Sequence, residues 1–356
     1  MSPGADPSGA YRLAVVGATG AVGAQMLEIL AERGFPAREV VPFASERSAG
    51  RTLEGPDRLG ELRVSPLSEE AIRDFDLALF SAGSSVSREW APRFADAGAV
   101  VIDNSSCWRM EPEVPLVVAE VNPEALAGHR GIVANPNCST MQMVVALKPI
   151  HDAAGIERVV VSTYQSTSGT GVRAVRELQD QSHAILHEVE PEPPAVYPHR
   201  IAFNVLPQVE TFREGDDYST EERKMMAETR KILGDESLRI SATCARVPVV
   251  TGHSESLNVQ TGEDLSPERC RELLSGAPGV TVIDDPANGL YPLAVDAAGR
   301  DDVFVGRIRR DPSHQRTLNL WVVSDNLRKG AALNAVQLAE LLHERGLIRP
   351  GARSPV

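Results

Sequence analysis

A chain of 356 residues is too long for one ordinary hydrophobic core and points to two domains. Apolar residues at 42% and charged residues at 24% describe a water-soluble globular protein rather than a fibrous or membrane one. The net charge of -13 argues against nucleic acid as a partner, since phosphate backbones need basic surface, but a small anion needs only a local cluster of cations.

In chain order, residues 1–10 read as a disordered tail, without the basic start and apolar stretch of a signal peptide. Arg12–Val16 is a short strand that runs into Gly17-Ala18-Thr19-Gly20-Ala21-Val22-Gly23. A helix follows through Met26, Leu27, Ile29 and Leu30 and is stopped by Gly34. Glycines at 17, 20 and 23 between a strand and a helix let the backbone approach a pyrophosphate at the helix N-terminus. Gly17, Thr19, Gly20, Ala21 and Val22 are therefore candidate cofactor contacts. Val40–Ala44 is the second strand. Where an NAD-binding protein usually places a carboxylate, this chain has Ser45-Glu46-Arg47-Ser48. One guanidinium between two hydroxyls suits a 2′-phosphate, so Ser45, Arg47 and Ser48 favour NADP, while Glu46 leaves NAD or dual use open. Further strands at Leu77–Phe80, Val100–Asp103 and Ile132–Ala134 alternate with helical stretches, which implies a parallel, doubly wound sheet.

Beyond Ile156 the texture changes to β-branched runs. Arg158–Tyr164 and Arg246–Val250 read as strands, with Arg246 at the start of the second, and Val303–Ile308 and Thr317–Val323 as a pair. Residues 188–198, rich in proline and acid, read as an exposed loop. A last helix beginning near Leu327 carries an apolar stripe of Leu333, Val336, Leu341 and Leu342. The expected fold class is α/β: a dinucleotide-binding Rossmann domain over 11–137, completed by 325–356, and an α+β catalytic domain with a mixed sheet over 138–324.

Asn135-Pro136-Asn137-Cys138-Ser139-Thr140 carries the chemistry. Pro136 bars the preceding strand from continuing, Asn137 is a favoured N-cap, and Met141, Val144, Val145, Leu147 and Ile150 form the apolar side of a helix. Cys138 thus falls at a helix N-terminus, where free N–H groups and the macrodipole favour thiolate. The other cysteines, Cys107, Cys244 and Cys270, are scattered without a CxxC pair, so no zinc site or disulfide framework is expected. No metal is expected at all, and the setting is expected to be reducing and cytoplasmic.

Seven segments in order now make the chain resemble the aspartate-β-semialdehyde dehydrogenase family. They are GATGAVG from Gly17, NSSCWRM from Asn104, NPNCST from Asn135, QSTSGTG from Gln165, EERKMMAETRKIL from Glu221, SATCARVPVVTGHSES from Ser241 and SDNLRKGAALNAVQ from Ser324. The resemblance implies NADPH-dependent reductive dephosphorylation of L-aspartyl-4-phosphate to L-aspartate-4-semialdehyde, on the route to lysine, methionine, threonine and diaminopimelate. It also implies a homodimer or homotetramer.

That reaction needs a thiolate to take the acyl group, and Cys138 supplies it. It needs an acid/base near neutral pH, and of eight histidines His253 alone sits in the family's motif. By the resemblance, Gln165 orients the acyl group, Arg246 forks the α-carboxylate, Glu221 takes the substrate amine, and Lys224 and Arg109 hold phosphate. Ser168 and Gly169, in a flexible glycine-rich loop, and Asn326 face the cofactor. Cys107 has no derivable role. The alternatives are another acyl-phosphate reductase, such as N-acetyl-γ-glutamyl-phosphate reductase, and a catalytically silent NADP-binding regulator. Asn137 and the ETRKIL helix point away from the first, and the joint presence of Cys138, Gln165, Arg246 and His253 points away from the second.

Overall fold

The computed structural model describes residues 11–56 and 59–348, so the expected tail over 1–10 lies outside the described residues. The chain divides into two compact units. One runs to Pro136 and resumes at Ala331, and the other is Asn137–Gly330.

In the first unit, six parallel strands order as Ser65–Pro66, Ala37–Ala44, Tyr11–Val16, Leu77–Phe80, Val100–Asp103 and Ile132–Ala134. From Tyr11–Val16 the chain builds outward on one side and then crosses to the other, which makes the carboxyl end of that strand the switch point of a doubly wound sheet. Both faces are covered. Leu13 and Val15 pack into one apolar cluster with the Ala21–Arg33 helix and Leu333, Val336, Leu338 and Leu342 of the Leu333–Glu344 helix. Ala14 and Val16 point the other way, toward Phe43, Phe75, Phe80 and Phe94. Burial on both sides is why this strand reads as an unbroken apolar run. A two-strand hairpin, Thr52–Glu54 with Glu61–Arg63, has no counterpart in the sequence reading.

The second unit holds a mixed six-stranded sheet ordered Arg239–Arg246, Ile156–Gln165, His253–Thr261, Thr317–Ser324, Val303–Arg310 and Val280–Val282. Its central pairs are antiparallel, while the Arg239–Arg246 strand runs parallel to Ile156–Gln165. From Val159 the Ile156–Gln165 strand alternates: Val159, Val161, Thr163 and Gln165 are buried on the side of the Cys138–Ala154 helix, while Tyr164 is exposed.

The sequence reading misplaced one strand. Arg246 ends its strand rather than starting one, and residues 247–252 form a loop. Pro248 has no N–H for a ladder, and Gly252 turns at φ +96, so the β-branched content of the run is overridden. His253 accordingly opens a strand rather than following one. The crossings between units fall after Pro136 and Gly330 rather than after 137 and 324, since Asp325 and Asn326 hydrogen-bond within the second unit.

Candidate functional site

Asn137 caps the Cys138–Ala154 helix, its Oδ1 accepting from the N–H groups of Ser139 at 3.0 Å and Thr140 at 3.1 Å. Cys138 is therefore the first helical residue. The cap is itself clamped: its N–H donates to Glu228 at 2.7 Å, and its Nδ2 donates to Glu221 at 3.0 Å. Gly330 lies against the thiol-bearing residue, and a Cβ there would come within 2.8 Å of Cys138 Cβ.

Glu221 is the second residue of the Thr220–Leu233 helix, whose capping box joins Ser219 and Glu222. Its carboxylate is fully buried and accepts from Asn137 Nδ2, Gln165 Nε2 at 3.0 Å and Lys224 Nζ at 2.7 Å. Burial pushes this group up, but Lys224 and the hydrogen bonds from Gln165 and Asn137 outweigh it and hold the carboxyl at about 2. Lys224 is shared with Glu210, 2.6 Å away.

Gln165, Arg246 and His253 end or begin three neighbouring strands, and register sets them side by side. Arg246 is buried. Its Nη1 donates to the carbonyl of Ser166 at 2.7 Å, while its Nε has no partner. His253 is wholly buried. Its Nδ1 accepts the N–H of Ser166 at 3.1 Å and lies 3.0 Å from Ser166 Oγ, and its Nε2 is unpaired. Burial first, then the Arg246 charge, push the imidazole down to about 3, against a smaller opposing pull from Glu221. A histidine titrating near neutrality was the expectation from sequence.

The stretch expected as a flexible loop is a turn whose Thr167 and Ser168 are buried and whose Gly169 and Thr170 are exposed. Thr167–Thr170 is a 3-10 turn, and Asn326 Oδ1 accepts from Ser166 Oγ at 2.9 Å, Ser168 Oγ at 3.2 Å and Gly252 N–H at 2.9 Å. Asn326 Nδ2 donates back to Ser168 Oγ at 2.9 Å. Three segments distant in sequence are tied together this way. Asn137, Cys138, Gln165, Gly169, Glu221 and Arg246 line one cavity of about 450 Å³. A surface cleft of about 530 Å³ beside residues 189–196 contains no thiol or histidine.

Arg109 belongs to the first unit, where it is buried and donates to the carbonyls of Asn135 at 3.0 Å and Asn104 at 2.9 Å. The glycine turn lies in that unit too. Gly17 sits at φ +89 against the Ser81 backbone, and a Cβ on Gly23 would fall 2.2 Å from Gly17 O. Gly20 precedes the Ala21–Arg33 helix with no side-chain cap and no acid in the first turn. Thr19 and Gly20 are exposed, with Ala21 and Val22 half-buried. An uncapped helix N-terminus behind a close-approach glycine turn fits a pyrophosphate. Ser45, Arg47 and Ser48 follow the adjacent Ala37–Ala44 strand, and Ser45 and Arg47 are exposed there. These residues fit a dinucleotide.

Sequence reasoning missed four residues of this neighbourhood. Ser166 lay unused inside the QSTSGTG segment. Gln142 is one helical turn beyond Cys138 and accepts from Ser324 Oγ at 2.7 Å. Glu255, two along the strand from His253, is fully buried, and burial raises its carboxyl well above the usual range against a smaller opposing hydrogen bond from Gln142. Period-two counting from His253 would have flagged it. Glu210 holds Lys224 from an αL position at φ +63. The remaining cysteines are free thiols that burial pushes up, Cys270 to about 12.

Residues 12–129 match the family described as semialdehyde dehydrogenase, NAD binding domain, and residues 147–329 match semialdehyde dehydrogenase, dimerisation domain. An aspartate-semialdehyde dehydrogenase of Aquifex aeolicus is 56% identical over 95% of this chain and 99% of its own. The crystal structure of aspartate semialdehyde dehydrogenase II complexed with ASA from Vibrio cholerae has a TM-score of 0.90 at 47% identity, covering 94% of this chain and 98% of that one. The aspartate semialdehyde dehydrogenase with NADP from Candida albicans has a TM-score of 0.73 at 26% identity, covering 95% of this chain and 100% of that one. Among the described residues no helix is long and apolar enough to cross a membrane.

Proposed function

The chain belongs to the aspartate-semialdehyde dehydrogenase family, and from that premise we propose that it converts L-aspartyl-4-phosphate to L-aspartate-4-semialdehyde through a thioester on Cys138. The observation that carries this reading is the position of Cys138. It is the first residue of a capped helix, in a cavity where Gln165, Glu221 and Arg246 converge from three other elements.

Cys138 attacks as thiolate, favoured by the helix N-terminus. Arg246, with its free Nε, receives the α-carboxylate. Glu221 receives the substrate ammonium, and Lys224 the phosphate. Each must partly release the other to do so, because they are now paired at 2.7 Å. Gln165, tied to Glu221, orients the acyl carbonyl, and His253 serves that same carbonyl. The nicotinamide, when bound, supplies the hydride that reduces the thioester. Gly17, Thr19, Gly20, Ala21 and Val22 hold its pyrophosphate. Ser168, Gly169 and Asn326 shape the nicotinamide side. Arg47, flanked by Ser45 and Ser48, selects NADP over NAD. The enzyme works as a homodimer or a pair of dimers, in a reducing cytoplasm that keeps Cys138 a thiol.

The assay runs the reaction in reverse. Oxidation of aspartate semialdehyde should require inorganic phosphate and prefer NADP. Preference for N-acetyl-γ-glutamyl semialdehyde, or turnover indifferent to phosphate, would overturn the assignment.

A further inference from the structure

Lys224 takes phosphate in the reading above, and the following rests on that assignment. We propose that Glu210 is a built-in competitor for phosphate: its carboxylate holds the Lys224 ammonium until phosphate, or the phosphoryl end of the substrate, displaces it, and it thereby sets how tightly phosphate is bound.

Lys224 Nζ lies 2.6 Å from Glu210 Oε1 and 2.7 Å from Glu221 Oε2. The second oxygen of Glu210 accepts from Thr220 Oγ1 at 2.7 Å. One carboxylate thus spans an ammonium and a hydroxyl, a pair of donors that would serve two oxygens of a phosphate equally well. Glu210 and Glu221 both line the cavity that holds Cys138. An anion approaching Lys224 from that cavity therefore meets two carboxylates.

The two carboxylates do not give way equally. The Glu221 side chain is 3% exposed and also accepts from Asn137 and Gln165. The Glu210 side chain is 45% exposed, so water can replace its partners at little cost. Its backbone, by contrast, is fixed. Leu206 and Arg246 exchange backbone hydrogen bonds at 2.9 and 2.8 Å, and Thr220 N–H donates to the Thr211 carbonyl at 2.8 Å. Between these pins Val209 is buried and Glu210 sits at φ +63, a left-handed conformation that a glutamate keeps only where its surroundings impose it. The segment from 206 to 211 thus offers Lys224 a carboxylate from a rigid backbone 14 residues earlier in the chain.

Charge decides the sign of the effect. Two carboxylates on one ammonium leave the cluster negative, which repels a phosphate dianion. With Glu210 neutralised, Lys224 and Glu221 balance, and phosphate gains. A residue whose task was to hold Lys224 in place would act the other way, since its loss would loosen the lysine and weaken phosphate. The exchange is one ion pair for another, with no covalent bond or proton transferred. Its use lies in the forward direction, where phosphate is the leaving group. A carboxylate poised to retake the ammonium helps that product depart, and product release is a step that limits many enzymes.

Two variants of the whole chain test this. Glu210→Gln keeps the shape and an acceptor for Thr220 but removes the charge. Glu210→Gly removes the side chain altogether, and glycine suits φ +63, so the fold is not put at risk. In the reverse assay each should lower the KM for inorganic phosphate by about threefold or more, with the KM for semialdehyde changed much less. Calorimetric titration of inorganic phosphate into the enzyme should show the same gain in affinity. In a Lys224→Met background the gain should vanish, because no ammonium is left to release. If Lys224→Met weakens phosphate but either Glu210 variant leaves its affinity unchanged or lower, the lysine keeps its role and the proposal for Glu210 is overturned. If Lys224→Met binds phosphate like the parent, the assignment of Lys224 fails and takes this proposal with it.

Discussion

Asn137 does for Cys138 what no single neighbour could. Its side-chain oxygen caps the helix, and its amide reaches Glu221, so the thiol's position depends on a carboxylate 84 residues along the chain. Glu221 in turn ties down Gln165 and Lys224. In the proposed pose, Lys224 and Arg246 face different parts of the substrate. Lys224→Met should raise the KM for phosphate in the reverse direction by about tenfold or more, the worth of one charge-assisted bond, with less effect on the semialdehyde. Arg246→Lys should instead damage semialdehyde use and lower kcat, since a point charge cannot reproduce a fork and misplaces the carbonyl. Steady-state kinetics that vary each substrate separately check both. Indistinguishable profiles would mean the two subsites are exchanged or merged.

At the scale of elements, the proposed reading divides the holding of a dinucleotide between the glycine turn and the segment after the strand beside it. Gly17 and Gly23 are required by close backbone approach, whereas Arg47 is an exposed side chain free to meet a ligand. Arg47→Ala should therefore weaken NADP by about 1.5–3 kcal/mol and NAD far less, as seen in cofactor KM values. Equal losses for both would place Arg47 elsewhere. The glycine turn, the alternating first unit and the helix of Cys138 were legible in sequence because each rests on local rules: close approach, period and capping. The strand ending at Arg246 was not. Its Ser241–Ala245 stretch lacks β-branched bulk except Thr243, and the valines beyond it drew the assignment past Pro248. Ser168 and Asn326 stood out in the sequence singly but not as partners, because their bond joins segments 158 residues apart. Ser166 was hidden for the same reason, its partner being 87 residues away. Glu255 was overlooked because a carboxyl with no cation beside it is expected at the surface, whereas this one is fully buried.

Across the whole molecule, the buried ionisable groups predict an unusual pH dependence of stability. His253 is held down to about 3, so between there and its ordinary value near 6.5 the unfolded chain binds the extra proton, and stability falls as pH falls. Glu255 is raised, so above about 4.5 the folded chain binds the extra proton, and stability falls as pH rises. Between about pH 4.5 and about pH 6.5 the two slopes oppose each other, each about 1.4 kcal/mol per pH unit at most. Urea midpoints of Glu255→Gln should therefore drop relative to the parent as pH falls through this window, and those of His253→Gln should climb. Profiles parallel to the parent would mean neither group is perturbed. The central claim, that the acyl group is carried on Cys138, has a more direct test. Mixed with semialdehyde and NADP but no phosphate, the enzyme should release a rapid burst of NADPH stoichiometric with active sites and then stop, because the thioester has no acceptor. Cys138→Ser should give no burst. A burst that survives in that variant, or steady turnover without phosphate, would contradict a thioester at this residue.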